Sequence, residues 1–189
     1  SLGGLKINSN QNPSVELSAG VTTMTGGGTL GYVRISSSSV RHNNGTIKFT
    51  TTNTIRQNGT ASSTEGFYDI EIDASGDTIM MAEWDTTIAY HDLNITAGTF
   101  STSGGGGYTA VNTIVLGALN IAAGAIVDFN AHASGDAVDV SFGSVDISNT
   151  GTLKAPGSTG SITLTAEGAS SYGFKNHSGG VFTHNNGLV

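Results

Sequence analysis

The chain has no cysteine, only 2 prolines and few charged residues, which make up 11% of its 189 positions. The absence of cysteine excludes disulfides, thiolate zinc sites and cysteine nucleophiles. The 7 basic side chains form no run and the formal net charge is −7, so we expect no nucleic-acid partner. No apolar run reaches the length of a membrane span, and we expect no membrane insertion.

Glycine is abundant, at 28 positions, but it follows no G-X-Y period. Short stretches alternate apolar and polar residues, as at Ile70 and Ile72 or at Leu93 and Ile95. This alternation is typical of strands with one buried side, and the Gly, Asn and Ser that follow are typical of turns. We therefore predict an all-β chain with less than about 5% α-helix.

A six-residue pattern of large apolar, Gly, any, Leu or Val, any, Ile occurs four times, at residues 2–7, 30–35, 116–121 and 142–147. Repeated units of strand and turn without helix must stack to bury their apolar faces. The pattern predicts a parallel β-helix, or β-solenoid, with irregular rungs of about 20–30 residues. An antiparallel β-sandwich is the alternative, because short strands with frequent turns fit it too.

The repeated positions also predict a core. Their side chains are expected to point inward and to be nearly buried, at Ile7, Ile35, Ile72, Ile95, Ile121, Ile147 and Leu164.

A longer echo links residues 40–47 to residues 182–189, and both contain His-Asn-Asn-Gly. We predict that His42 and His184 serve the same kind of turn. The chain opens on one copy of the six-residue pattern and closes just after the second His-Asn-Asn-Gly. We expect residues 1–189 to be a single solenoid segment and a fragment of a longer repeat protein. The alternative is that another subunit of a trimer or fibre supplies the strand expected after the second His-Asn-Asn-Gly.

Residues 67–72 and 93–100 carry a resemblance to Gly/Thr/Asn-rich repeat segments of large, adhesin-like bacterial surface proteins and of phage fibre or structural proteins. The resemblance implies a stalk, fibre or adhesin at an extracellular, cell-surface or virion location. It implies partners that are neighbouring repeats or subunits of the same fibre. It brings no catalytic residues, so we expect a non-catalytic structural module without a cofactor.

A glycan-binding module is the second hypothesis. Glu83 and Asp85 flank the only tryptophan, Trp84, and in a strand both carboxylates point the same way. Carboxylates beside an aromatic ring are typical of sugar sites, so these three residues and Tyr90 are the candidate contacts for a cell-surface glycan. In a turn Trp84 would stack on a sugar, whereas in a strand it would face the core. We favour the packing role.

A tailspike-like polysaccharide depolymerase is the third hypothesis, and the acidic residues form no pair of the kind that glycosidases need. A calcium site is considered at Asp128, Asp136, Asp139 and Asp146, which are close in sequence. The glycine-rich nonapeptide of calcium-binding β-rolls is missing. No two histidines have a spacing typical of zinc ligands. We predict solvent-facing aspartates and no metal site.

Overall fold

The computed structural model describes residues 5–6, 15–26, 32–36, 40–58, 66–81, 86–89, 91–102, 111–115, 117–130, 138–165 and 172–189. Within these ranges the regular structure is all β, without helix, as predicted. The strands are β1 (Leu5–Lys6), β2 (Val15–Glu16), β3 (Val21–Met24), β4 (Tyr32–Ser36), β5 (Val40–Arg41), β6 (Thr46–Phe49), β7 (Asn53–Asn58), β8 (Asp69–Met81), β9 (Thr86–Ala89), β10 (Leu93–Ser101), β11 (Val111–Val115), β12 (Ala118–Ile121), β13 (Ile126–Asp128), β14 (Val138–Phe142), β15 (Ser144–Ile147), β16 (Thr152–Lys154), β17 (Ser161–Leu164), β18 (Phe174–Asn176) and β19 (Val181–Thr183).

All strand pairings between these elements are parallel, and each strand pairs only with strands of neighbouring turns. The chain separation between paired positions is 23 residues from Lys48 to Glu71 and 26 residues from Asn94 to Asn120. Parallel pairing at this separation makes the fold a β-solenoid. The antiparallel sandwich was therefore the wrong alternative.

The strands stack into three faces. The first face contains β3, β6, the start of β8, the start of β10, β12, β15 and β18. The second face contains β1, β4, β7, the end of β8, the end of β10, β13, β16 and β19. The third face contains β9, β11, β14 and β17. About four consecutive turns, which begin at β8, β10, β12 and β15, have a strand on every face.

Inward side chains form continuous rows along the stack, because identical registers place like residues above one another. On the first face, Ile72, Ile95, Ile121 and Ile147 are paired in succession and fully buried, and the row ends at Asn176. On the second face, the row consists of Ile79, Phe100, Val127, Leu153 and Phe182. Each buried aliphatic side chain contributes about 1.5–3 kcal/mol relative to an exposed one.

The four copies of the six-residue pattern do not share one face, contrary to the equivalence that the sequence suggested. Residues 5–6 pair with residues 33–34 on the second face, whereas residues 118–121 pair with residues 144–147 on the first. Leu164 lies on the third face above Phe142 and is only partly buried against the core, so its predicted near-complete burial was wrong. Ile7 lies outside the described residues, and for Ile35 the structure describes only the strand.

The two His-Asn-Asn-Gly sequences do form the same corner, as predicted. His42 Nδ1 accepts a hydrogen bond from the Asn44 amide at 3.0 Å, and His184 Nδ1 accepts one from the Asn186 amide at 3.3 Å. In both corners the intervening asparagine donates its side-chain amide to a carbonyl of the turn below, from Asn43 to Leu17 and from Asn185 to Ala155.

A second type of corner joins the first face to the second, and one position in each such turn has positive φ. Gly124 has φ 77°, Thr150 φ 60° and Gly179 φ 90° at successive levels of the stack. A β-branched residue in this region is strained, whereas glycine is not. Among Gly124, Thr150 and Gly179, Thr150 is therefore the one with a strained backbone.

Replacing Thr150 with Gly is expected to stabilise the protein by about 0.5–1 kcal/mol. The relief of left-handed strain, about 1–2 kcal/mol, exceeds the extra entropy of glycine in the unfolded chain. Urea unfolding followed by circular dichroism measures the change. Thr152→Gly, two residues later in β16, is the control and should destabilise the protein by about 1 kcal/mol. Equal effects of the two substitutions would contradict the assignment of strain to Thr150.

Candidate functional site

The residues proposed from the sequence as glycan contacts, Trp84, Glu83, Asp85 and Tyr90, lie outside the described residues. The aspartates considered for calcium do not converge. Asp128 lies on the second face and contacts Lys154 at 2.7 Å, Asp139 lies on the third face, and Asp146 lies on the first. Asp136 is outside the described residues. The three described aspartates therefore cannot share one ion.

The first face carries an outward row of polar side chains, one from each of six successive strands. In order along the stack these are Lys48, Glu71, Asn94, Asn120, Asp146 and Lys175. Adjacent members are one inter-strand spacing apart, about 4.8 Å. Opposite charges lie next to each other at both ends of this outward row, and neutral amides occupy its centre.

Lys48 anchors one end of the outward row. Its Nζ lies 2.7 Å from Asp73 Oδ2 and 3.0 Å from Glu71 Oε1. The hydrogen bonds to Asp73 and to Glu71 raise the pKa of Lys48 above its usual value of 10.5. Since the pKa is higher in the folded chain, the ion pairs stabilise it fully below about pH 10.5 and lose this effect as the pH rises through the folded pKa.

Lys48→Gln is expected to cost about 0.5–1 kcal/mol of unfolding free energy near pH 7, because solvent screens the partly exposed pairs. The cost should shrink at high salt and vanish at a pH above the folded pKa of Lys48. Lys175→Gln is the control. Lys175 Nζ lies 3.7 Å from Asp146 Oδ2, a longer ion pair than those of Lys48, so this substitution should cost less. Chemical denaturation at both pH values compares them. A Lys48→Gln cost that persists at alkaline pH would contradict the ionic origin.

A cleft of about 270 Å³ lies at the neutral centre of the outward row. Its lining consists of Asn94, Ile95, Thr96, Asn120, Ile121, Ala122, Asp146, Ser148 and His177. These residues come from β10, β12 and β15 and from the positions that directly follow β12, β15 and β18. Asn120 Nδ2 donates to Asn94 Oδ1 at 2.8 Å, which fixes the two amides in one orientation.

Asp146 is the only carboxylate among the lining residues. His177 Nε2 lies 3.1 Å from Asp146 Oδ1, but this oxygen is buried and accepts no hydrogen bond from the described residues. A buried acceptor without a donor costs about 1–3 kcal/mol. The Asp146 side chain is 38% exposed, so its other oxygen, Oδ2, is the acceptor that a donor from solvent or from a ligand can reach.

A second polar cluster lies where the third face meets the first. His91 Nδ1 is 2.9 Å from Asp69 Oδ1 and 3.5 Å from Asp92 Oδ2, and the His91 ring stacks on Tyr68 at 4.8 Å. Ligand atoms of Asp69, His91 and Asp92, one from each residue, lie close enough together to hold a metal ion. However, the Asp92 amide donates to Asp69 and the Ala118 amide donates to Asp92 Oδ1, so both carboxylates also hold consecutive turns together.

Reasoning from the sequence missed both the cleft and the His91 cluster. The residues that meet across turns are 22 to 31 positions apart, from Asp69 and His91 to Asp146 and His177, and only the strand register brings them together. The available signal was the repeat itself. Aligning the turns places Asn94, Asn120 and Asp146 in one column and the small Ala122 between Thr96 and Ser148.

The described part of the chain has no helix with the length and apolarity needed to cross a bilayer. No protein-family model, no curated protein and no solved structure matches the chain.

Proposed function

We propose that this chain is a non-catalytic structural module of an extracellular fibre, stalk or adhesin, at a cell surface or on a virion. The observation that carries the proposal is the parallel stacking of the described strands on three faces around continuous apolar rows. Such stacking gives length and stiffness from backbone hydrogen bonds and repeated side chains, without a specialised residue. Length and stiffness are what a stalk requires.

The last turn of the stack has features that favour binding of a partner at that end. Among the described residues, β18 and β19 each pair with one strand only, which leaves their other edges open. Val181 is 47% exposed and Leu188 is 74% exposed, and the rings of Phe174 and Phe182 are only partly buried. Open edges and exposed apolar side chains favour addition of another strand. The proposed partners are neighbouring repeats or subunits of the same fibre.

Antibodies against this chain, applied to unpermeabilised cells or intact virions that carry the parent protein, test the proposal. Electron microscopy should place the label along a fibre or stalk. Internal label alone would overturn the proposed location.

Purified chain incubated with capsular polysaccharides tests the absence of catalysis. We expect no new reducing ends. Their appearance would favour the depolymerase hypothesis over the structural one.

A further inference from the structure

The first-face cleft is shaped by a small residue within a row of larger ones. Thr96, Ala122, Ser148 and His177 occupy matching positions, each directly after a member of the stacked row Ile95, Ile121, Ile147 and Asn176. The methyl group of Ala122 leaves a gap there, bounded on the other side by the outward row. Polar residues and the apolar Ile95, Ile121 and Ala122 together line the gap.

Hydrogen-bonding groups of both kinds converge on this gap. Asn120 uses its Nδ2 toward Asn94, so its Oδ1 remains as an acceptor and Asn94 Nδ2 remains as a donor. Thr96 donates its hydroxyl to the Ile72 carbonyl at 2.9 Å and can therefore only accept from a ligand. Asp146 adds a carboxylate acceptor through Oδ2, which lies 3.7 Å from Lys175 Nζ. Donors and acceptors therefore both face the gap, and the hydroxyl of Ser148 can act as either, which suits a ligand rich in hydroxyl groups.

The charges argue against other ligand classes. A single carboxylate with a histidine beside it disfavours an anion, because Asp146 would repel it. Calcium takes 6–8 oxygen ligands and prefers several carboxylates, whereas the cleft has one. A neutral polyol needs no charge compensation, and each of its hydroxyls both donates and accepts.

We infer that this cleft binds a short neutral saccharide, about two sugar units long. The three outward positions Asn94, Asn120 and Asp146 span two inter-strand steps, about 10 Å in total. A hydroxyl of one sugar donates to the exposed Oδ2 of Asp146, and the fixed amides of Asn94 and Asn120 contact the next sugar. The inference is independent of the stalk role and uses none of the residues first considered for glycans.

Nuclear magnetic resonance tests the inference on the intact chain. Maltose, cellobiose, lactose and N,N′-diacetylchitobiose are titrated separately to saturation or to their solubility limit. We expect at least one of them to shift the side-chain amide signals of Asn94 and Asn120. Ala122→Phe, which fills the gap, should weaken that binding at least tenfold. Asp146→Asn should weaken it about tenfold, the factor for one hydrogen bond of ordinary strength.

Ala123→Phe is the matched control, because Ala123 is exposed in the same corner and does not line the cleft. It should bind like the wild type. The inference is overturned if no disaccharide shifts the amide signals, or if Ala122→Phe and Ala123→Phe bind alike. Calcium chloride and zinc chloride are titrated alone as well. If either shifts the same signals while the sugars do not, the cleft is a cation site and the inference is overturned. These outcomes leave the electron-microscopy test of the stalk role unaffected.

Discussion

Replacing Ile121 with Asp is expected to prevent stable folding, so that the variant shows no cooperative unfolding transition. Ile121 is 1% exposed and pairs with Ile95 below and Ile147 above. The substitution removes an aliphatic side chain, at about 2–5 kcal/mol, and places a carboxyl group among apolar neighbours without a partner. The sum is comparable with the whole stability of an ordinary domain, about 5–15 kcal/mol. Thermal melting followed by circular dichroism measures the loss.

Asn120→Asp is the matched control, since Asn120 precedes Ile121 in the same strand and faces outward. It adds the same charge and should cost no more than about 1 kcal/mol, from one lost hydrogen bond and repulsion by Asp146. If both variants melted at the same temperature, the inward register of β12 would be wrong.

Gly98→Ala is expected to cost about 2–5 kcal/mol, from a strained backbone conformation and a steric overlap. Gly98 has φ 87°, and a Cβ built there would overlap the carbonyl group of Ala74 in the turn below. The left-handed conformation alone costs about 1–2 kcal/mol for alanine. The steric overlap adds the cost of pushing β10 away from β8, because Ala74 is buried and cannot move aside freely. Urea unfolding measures the difference.

Gly76→Ala separates the two contributions. Gly76 has φ 80°, yet a Cβ there would meet no atom within 4 Å. This variant should lose only the conformational share, about 1–2 kcal/mol. Similar losses for both variants would show that the overlap with Ala74 contributes nothing.

Alternation along the chain predicted the solenoid core well, because a strand with one buried side needs a period of two residues and little else. It predicted the inward positions of Ile72, Ile95, Ile121 and Ile147. It could not assign strands to faces. All three faces require the same alternation, so the copies at residues 2–7 and 116–121 read alike although they belong to different columns.

The candidate binding site was harder to predict for a related reason. Trp84 drew attention because it is the only tryptophan and lies between two carboxylates, whereas the cleft consists of common residues such as Asn94 and Thr96. Its shape depends on the register between turns and on one small side chain, Ala122. Neither property belongs to any local segment, so no motif search of the sequence can find it.

The stacking of turns also determines how the chain responds to mechanical force. The hydrogen bonds between strands join one turn to the next, so tension on a terminus breaks the bonds of the outermost turn before those of the turns beneath it. When a turn unfolds, the extended part of the chain lengthens by the contour length of that turn. For a turn of 26 residues, as between Asn94 and Asn120, this is roughly 90 Å of extended chain. A tether built this way would dissipate a sudden pull in small steps, and its remaining turns would stay folded.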